Sequence, residues 1–117
     1  MIKRFLLALT MLATPALADN AVVRNVKVVK VGGAYTFDVT ITHTDTGWDD
    51  YADMWRVKDT SGAVLGERNL AHPHVNEQPL TRSLSGVQIP NGVTEVIIEA
   101  HDTVNGWNPE GKTVKLP

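Results

Sequence analysis

The chain lacks cysteine, has few aromatic residues and contains no apolar run long enough to span a membrane. None of its 117 residues is cysteine, which excludes a disulfide-stapled miniprotein and leaves histidine and carboxylate as the available metal ligands. Aromatic residues make up 6% of the chain, but 43% of the residues are hydrophobic. This composition allows one domain with an ordinary hydrophobic core.

The first 18 residues have the pattern of a secretory signal peptide. Lys3 and Arg4 form a basic start, residues 5–13 form a short apolar run, and Ala16-Leu17-Ala18 is a small-x-small cleavage site. We therefore predict cleavage after Ala18, a single domain over residues 19–117, and a periplasmic or secreted protein. The apolar run is too short for an ordinary transmembrane helix, and no cysteine near the cleavage site could carry a lipid. We expect no membrane insertion after cleavage.

The predicted mature chain is acidic. Removal of Lys3 and Arg4 leaves nine basic and thirteen acidic side chains, a formal charge of −4. This balance argues against nucleic acid as a partner, because binding to phosphates needs a basic surface. An exported domain without disulfides must be stabilised by its core, a ligand or a metal ion.

Alternating apolar residues and regularly spaced turn signals predict an all-β domain. In the clearest strand, Tyr35, Phe37, Val39 and Ile41 lie on one face and threonines or aspartate on the other. No segment has the period of an amphipathic helix. Trp55 lies on the apolar phase of its strand and is predicted to be a core residue. The seven predicted strands cover residues 22–31, 35–42, 51–58, 63–70, 81–89, 93–101 and 113–116.

One segment resembles a known family. Residues 86–100 contain an apolar-x-Pro turn at Ile89-Pro90 followed by an alternating strand, and this pattern resembles the characteristic segment of fibronectin type III domains. Val96 stands where that family usually has a tyrosine. The resemblance implies a seven-stranded antiparallel immunoglobulin-like sandwich, and the whole chain is similar to small exported bacterial proteins of uncharacterised function. Such a resemblance implies a fold and says little about function.

The predicted topology brings all four histidines to one end of the domain. In an antiparallel sandwich the loops after the second, fourth and sixth strands lie at the same end, and the histidines lie in these loops or at the ends of these strands. Imidazole suits Cu(II) and Zn(II), and the two side chains of an extended His-Pro-His segment project to the same side. The predicted metal ligands are His43, His72, His74 and His101. The carboxylates expected to orient their rings are Asp45, Glu77 and Asp102.

Two other interpretations of the histidines stay open. They could be structural, with a hydrogen-bond network that holds the loop around His74 rigid; its members would be His74, Asn76, Glu77, Gln78 and Arg82. They could also form a pH-responsive binding surface, because histidine titrates near neutrality. The acidic residues 45–50 do not have the spacing of an EF-hand loop, so we expect a solvated loop there.

Aromatic residues in the loops suggest a second kind of function. Trp48, Tyr51 and Trp107 lie at or beside loops rich in Asp, Asn and Gly, where an exposed indole could bind a periplasmic protein or a glycan. The alternative is that each tryptophan folds over the end of the core. The sequence therefore predicts an exported binding module. The module either holds a Cu(II) or Zn(II) ion or, without metal, binds a protein or glycan through its loop aromatic residues.

Catalysis is the weakest hypothesis for this sequence. The serines are not part of a nucleophile elbow, and no glycine-rich phosphate loop follows a strand. Copper-zinc superoxide dismutase also combines a sandwich with a His-x-His pair, so a small metalloenzyme stays an alternative. This chain lacks that family's disulfide cysteines and its fuller ligand set.

Overall fold

The computed structural model describes residues 19–117, which fold into two antiparallel sheets. These residues contain no helix, so none is available to cross a membrane. The predicted signal peptide, residues 1–18, lies outside the described residues. The strands are β1 (Val22–Val31), β2 (Ala34–Thr42), β3 (Ala52–Asp59), β4 (Val64–Asn69), β5 (Leu80–Val87), β6 (Glu95–Asp102), β7 (Gly106–Trp107) and β8 (Lys112–Lys115). The predicted all-β class is confirmed, with eight strands where the sequence predicted seven; the additional strand is the short β7.

Sheet 1 has the strand order β1-β2-β5. The alternation of β2 is observed as predicted: Phe37, Val39 and Ile41 are buried, while the residues between them are partly exposed. On the outward face, hydroxyl groups pair across β2 and β5, as between Thr40 and Thr81 at 2.7 Å. One face of sheet 1 is thus apolar and inward, and the other is polar.

Sheet 2 has the order β4-β3-β6-β7, and β8 also pairs with β6. Strand β6 starts at Glu95, two residues later than predicted, because Val93 N–H donates to the carbonyl of Pro90 and closes the preceding turn. Gly111 lies in the connection between β7 and β8. A Cβ atom there would lie 2.7 Å from the carbonyl oxygen of Ile98, so only glycine fits without a shift of the backbone.

The core lies between the two sheets. Trp55 of β3 is fully buried, as predicted, and the largest side chains around it come from both sheets, including Phe37 and Ile41 from sheet 1 and Ile98 from sheet 2. Packing of this kind is the main stabilising contribution in a domain without disulfides.

One end of the core is closed by polar loops, which we call the loop end: residues 43–51, 70–79 and 102–106. They follow β2, β4 and β6. Asp45 accepts hydrogen bonds from the backbone N–H of Ala52 and of His74, which join the first loop to β3 and to the second loop. The hydroxyl of Thr103 donates to the carbonyl of Asp49 and accepts from Tyr51 N–H, which joins the first loop to the third.

Candidate metal centre

His43 continues the buried row of β2 by one step. It follows Phe37, Val39 and Ile41 at intervals of two residues, so strand geometry turns its ring inward, and its side chain is only 1% exposed. Its backbone N–H donates to the side-chain oxygen of Gln78. The ring therefore lies at the end of the apolar core, with little freedom to move.

Asp45 determines the orientation of this ring. Its Oδ1 lies 2.7 Å from Nδ1 of His43, and the carboxylate itself is fully buried. Asp45 also accepts backbone hydrogen bonds from Ala52 at 2.9 Å and from His74 at 2.8 Å. A carboxylate at this position holds the proton of a neutral imidazole on Nδ1 and leaves Nε2 with a lone pair. The sequence-based expectation that Asp45 orients a histidine ring fits this geometry.

Two further carboxylates face Nε2 of His43. Oδ1 of Asp50 lies 3.4 Å from it and Oδ2 of Asp102 lies 3.9 Å from it. Nε2 of His43 and Oδ1 of Asp50 are both buried, and neither makes a hydrogen bond. Within residues 19–117, His43, Asp50 and Asp102 are the one group of three or more potential ligands whose ligand atoms all lie within 4.8 Å of one another. The three side chains could hold a metal ion.

Asp102 reaches the site from the opposite sheet. It continues the inward row Val96, Ile98 and Ala100 of β6, and its side chain is fully buried. Its Oδ1 accepts the backbone N–H groups of Val104 and Asn105, and its Oδ2 accepts that of Ala21 at 3.3 Å. These bonds fix the carboxylate in place. We predicted Asp102 as a ring-orienting residue, but its Oδ2 faces Nε2 of His43, the ring nitrogen that Asp45 does not contact.

Asp50 was missed as a potential ligand by the sequence analysis, which predicted a solvated acidic loop for residues 45–50. In the structure Asp45 is buried, and the side chain of Asp50 is only 22% exposed. A tight turn causes this: Thr46 N–H donates to the carbonyl of Asp50, and Asp50 N–H donates to that of Gly47. The turn folds Asp50 back over the core. The alternation of the strands does not identify it, because the position of its side chain depends on this turn in the loop.

The four histidines do not share one centre. The rings of His72 and His74 contact each other with centroids 4.5 Å apart, and Nε2 of His74 lies 3.3 Å from the guanidinium of Arg82. Burial, together with the charges of His72 and Arg82, lowers the pKa of His74. A cation this close opposes metal binding at Nε2 of His74. Glu77 pairs with Arg82 and not with a histidine ring.

His101 points away from the loop-end core. Asp102 is inward, so the neighbouring residue is turned to the outer face of sheet 2, where Nδ1 of His101 bonds to Asp53. The ring also contacts Trp107, with centroids 4.8 Å apart. The alternation within β6 already implied this outward direction. Ile98 and Ala100 point inward, and His101, the next residue after Ala100, must point to the opposite face.

The outer face of sheet 2 is held together by a charge cluster. The guanidinium of Arg56 lies 3.7 Å from the ring centroid of Trp107 and bonds to Glu99, which also pairs with Lys58. Burial alone would raise the pKa of Glu99, but the hydrogen bonds from Lys58 and Arg56 outweigh it and hold the pKa below its usual value. Trp107 is thus half-buried between charged neighbours, and the sequence analysis did not identify this cluster.

Trp48 is the most exposed aromatic residue of the loop end. It is 68% exposed and makes an edge contact with Tyr51, with centroids 5.6 Å apart. It belongs to the turn that carries Asp50. Of the three aromatic residues predicted to bind a partner, Trp48 and Tyr51 lie beside the candidate metal centre, while Trp107 is on the outer face of sheet 2.

Comparison with known proteins finds a relative but no family. No protein-family model and no solved structure matches the chain. A protein of Halomicrobium mukohataei with the name "Putative lipoprotein" is 40% identical over 83 residues, which cover 71% of this chain and 40% of that protein. The match therefore covers less than half the length of this relative. That name describes the relative as a lipoprotein and gives no ligand or activity.

Proposed function

We propose that the protein is an exported binding module that holds one divalent transition-metal ion between His43, Asp50 and Asp102. The observation that carries this proposal is the buried Nε2 of His43, which has no hydrogen-bond partner and faces two carboxylate oxygens. Export is supported by the signal-peptide pattern of residues 1–18 and by the similarity to a protein named as a lipoprotein.

Electrostatics favour a cation at this point. With the ring proton held on Nδ1 by Asp45, Nε2 and the two facing carboxylates present only lone pairs to the space between them. Buried anionic groups without a counter-charge are costly, because the protein interior screens charge poorly. A divalent ion neutralises Asp50 and Asp102 together and gives a partner to the two unpaired atoms, Nε2 of His43 and Oδ1 of Asp50.

The donor set and its spacing favour Zn(II). Tetrahedral zinc has bonds of about 2.0–2.2 Å to nitrogen and oxygen, which places neighbouring ligand atoms about 3.4 Å apart. The distance from Nε2 of His43 to Asp50 is 3.4 Å, and the distance to Asp102 is 3.9 Å. Ca(II) needs six to eight oxygen ligands, whereas Cu(II) prefers a planar set richer in nitrogen. Three protein ligands also leave one coordination position open.

An immunoglobulin-like fold of the fibronectin type III kind fits this proposal. It is supported by the segment at residues 86–100 and by the arrangement of three strands, β1-β2-β5, facing a sheet that contains β4-β3-β6 and β8. In such a sandwich the ends carry the loops, and loops are where binding residues concentrate.

Calorimetric titration of the purified protein with ZnCl2, after treatment with EDTA and dialysis, tests the proposal. We expect one ion per chain, and we expect His43→Gln to abolish the binding heat. His101→Gln is the matched control, because His101 also donates to an aspartate but lies on the outer face; it should bind Zn(II) like the unaltered protein. Added Zn(II) should also raise the melting temperature.

The result that contradicts the proposal is equally specific. If the unaltered protein and His43→Gln give the same negligible heat with Zn(II) and with Cu(II), the centre does not bind these ions.

A further inference from the structure

Two neighbouring side chains of sheet 2 carry buried hydrogen-bond donors without an acceptor. Nε1 of Trp55 and Nε of Arg68 are both buried, and neither makes a hydrogen bond within residues 19–117. The two residues lie directly opposite each other on β3 and β4, so their side chains are neighbours on the same face of the sheet. Because Trp55 belongs to the core, this is the inward face. Buried indole and guanidinium N–H groups normally have an acceptor.

The charge of Arg68 is not compensated either. The ion pairs of the described residues include Arg56 and Arg82, but none of them includes Arg68. Its Nη1 donates to the backbone carbonyl of Asn69 at 3.1 Å. The edge of the guanidinium that is formed by Nε and Nη2 therefore has no protein partner. Two adjacent N–H groups of a guanidinium are the geometry that binds a carboxylate or a phosphate with two parallel hydrogen bonds.

The free edge of Arg68 can be reached from solvent. Nη2 makes no hydrogen bond with a described residue, but unlike Nε it is not a fully buried atom. Strand β4 is the outer strand of sheet 2 and β5 is the outer strand of sheet 1. Since Gly66 of β4 contacts Leu84 of β5, the two strands border the same side of the sandwich. A small ligand can therefore approach Arg68 between β4 and β5.

A second arginine adds positive charge on this side. A Cβ atom at Gly66 would lie 3.0 Å from the side chain of Leu84, so these two residues face each other across the sheets. The next inward positions towards the loop end are Arg68 on β4 and Arg82 on β5. Glu77 neutralises Arg82 through two hydrogen bonds but makes none to Arg68. One positive charge therefore stays unpaired between the strands, and it favours an anionic ligand.

We infer that the side of the sandwich between β4 and β5 binds a small oxyanion, a phosphate or a carboxylate group, through the guanidinium of Arg68 and the indole N–H of Trp55. Arg68 supplies the charge and two donors, and Trp55 supplies a third donor from the core. The bound anion neutralises Arg68 and gives both buried N–H groups an acceptor. This site uses none of the three proposed metal ligands and does not rest on the proposed function.

Two-dimensional 1H–15N NMR of the purified protein tests this inference, because each of the three tryptophans gives one indole N–H signal. Trp48→Phe and Trp107→Phe assign the signals by elimination and leave the core unchanged. We expect sodium phosphate or sodium acetate, compared with sodium chloride at equal ionic strength, to move the Trp55 signal downfield to a saturating value. The signals of Trp48 and Trp107 should stay in place. Comparison of the two salts shows which oxyanion the site prefers.

Arg68→Gln should weaken this binding by about tenfold or more, because it removes the charge and the paired donors. Arg24→Gln is the matched control. Arg24 makes no ion pair either, but it is exposed and its Nε donates to Thr42; the variant should bind like the unaltered protein. The inference is overturned if neither salt moves the Trp55 signal beyond the sodium chloride control. It is also overturned if Arg68→Gln and the unaltered protein respond equally.

Discussion

His43 and Asp102 belong to different sheets, yet Nε2 of one lies 3.9 Å from Oδ2 of the other at the end of the core. Each residue extends an inward apolar row by one position: Phe37, Val39 and Ile41 precede His43, and Ala100 precedes Asp102. The two facing sheets therefore end their apolar rows with a polar pair. The hydrophobic core is continuous up to this point, and the polar pair closes it.

Asp45→Asn should weaken Zn(II) binding without removing a ligand. The amide cannot hold the ring proton of His43 on Nδ1 as a carboxylate does, and changes at such orienting residues cost roughly 10- to 100-fold in metal affinity. Calorimetry measures the loss. Asp53→Asn is the matched control, because Asp53 makes the same kind of bond to His101 on the outer face; an equal loss in this variant would contradict the role of Asp45.

Trp55→Ala should remove much of the stability of the domain. Trp55 is 0% exposed and is the largest side chain of the core; replacing such a residue by alanine costs about 3–5 kcal/mol of the roughly 5–15 kcal/mol typical of a domain. Urea unfolding followed by circular dichroism measures the change. The exposed Trp48→Ala should alter the free energy of unfolding by less than about 0.5 kcal/mol, and similar losses in both variants would contradict the assigned burial.

Gly111→Ala should destabilise the protein by about 1–3 kcal/mol. The added methyl group would lie 2.7 Å from the carbonyl oxygen of Ile98 and 2.8 Å from Cγ2 of Ile97, so the backbone would have to shift. Gly33→Ala is the comparison, because a Cβ there meets nothing within 4 Å. That change should be neutral or stabilise by at most about 1 kcal/mol. Both values come from urea unfolding, and equal effects would contradict the close contact.

The lowered pKa of His74 predicts a loss of stability in acid. Burial and the charges of His72 and Arg82 keep its ring neutral in the folded protein, whereas the unfolded chain binds a proton near pH 6.5. The contribution of the His74 ring to the free energy of unfolding is complete above pH 6.5. It is lost as the pH falls from there towards the lower pKa of the folded state. In EDTA, the unfolding free energy of His74→Gln should therefore decrease less between pH 7.5 and pH 5.0 than that of the unaltered protein. Equal decreases would contradict this assignment.

The strand pattern was predictable because it depends on local alternation. Strand β1 has the predicted bounds, β2 differs from prediction by one residue at its start, and β3 and β4 differ by one residue at each end. The alternation of inward and outward residues along each strand also contained information that the prediction did not use. It placed His43 and Asp102 on inward rows and turned His101 outward, away from a shared centre.

Composition and alternation, which are properties of the sequence alone, determined an all-β domain without disulfides whose histidines lie after β2, after β4 and at the end of β6. Only the tertiary structure decided which side chains meet. Asp50 became the partner of His43 because the turn at residues 46–50 folds it over the core, while His74 was turned towards Arg82. A ligand set depends on side-chain directions across two sheets and three loops, and strand periodicity specifies direction only within a strand.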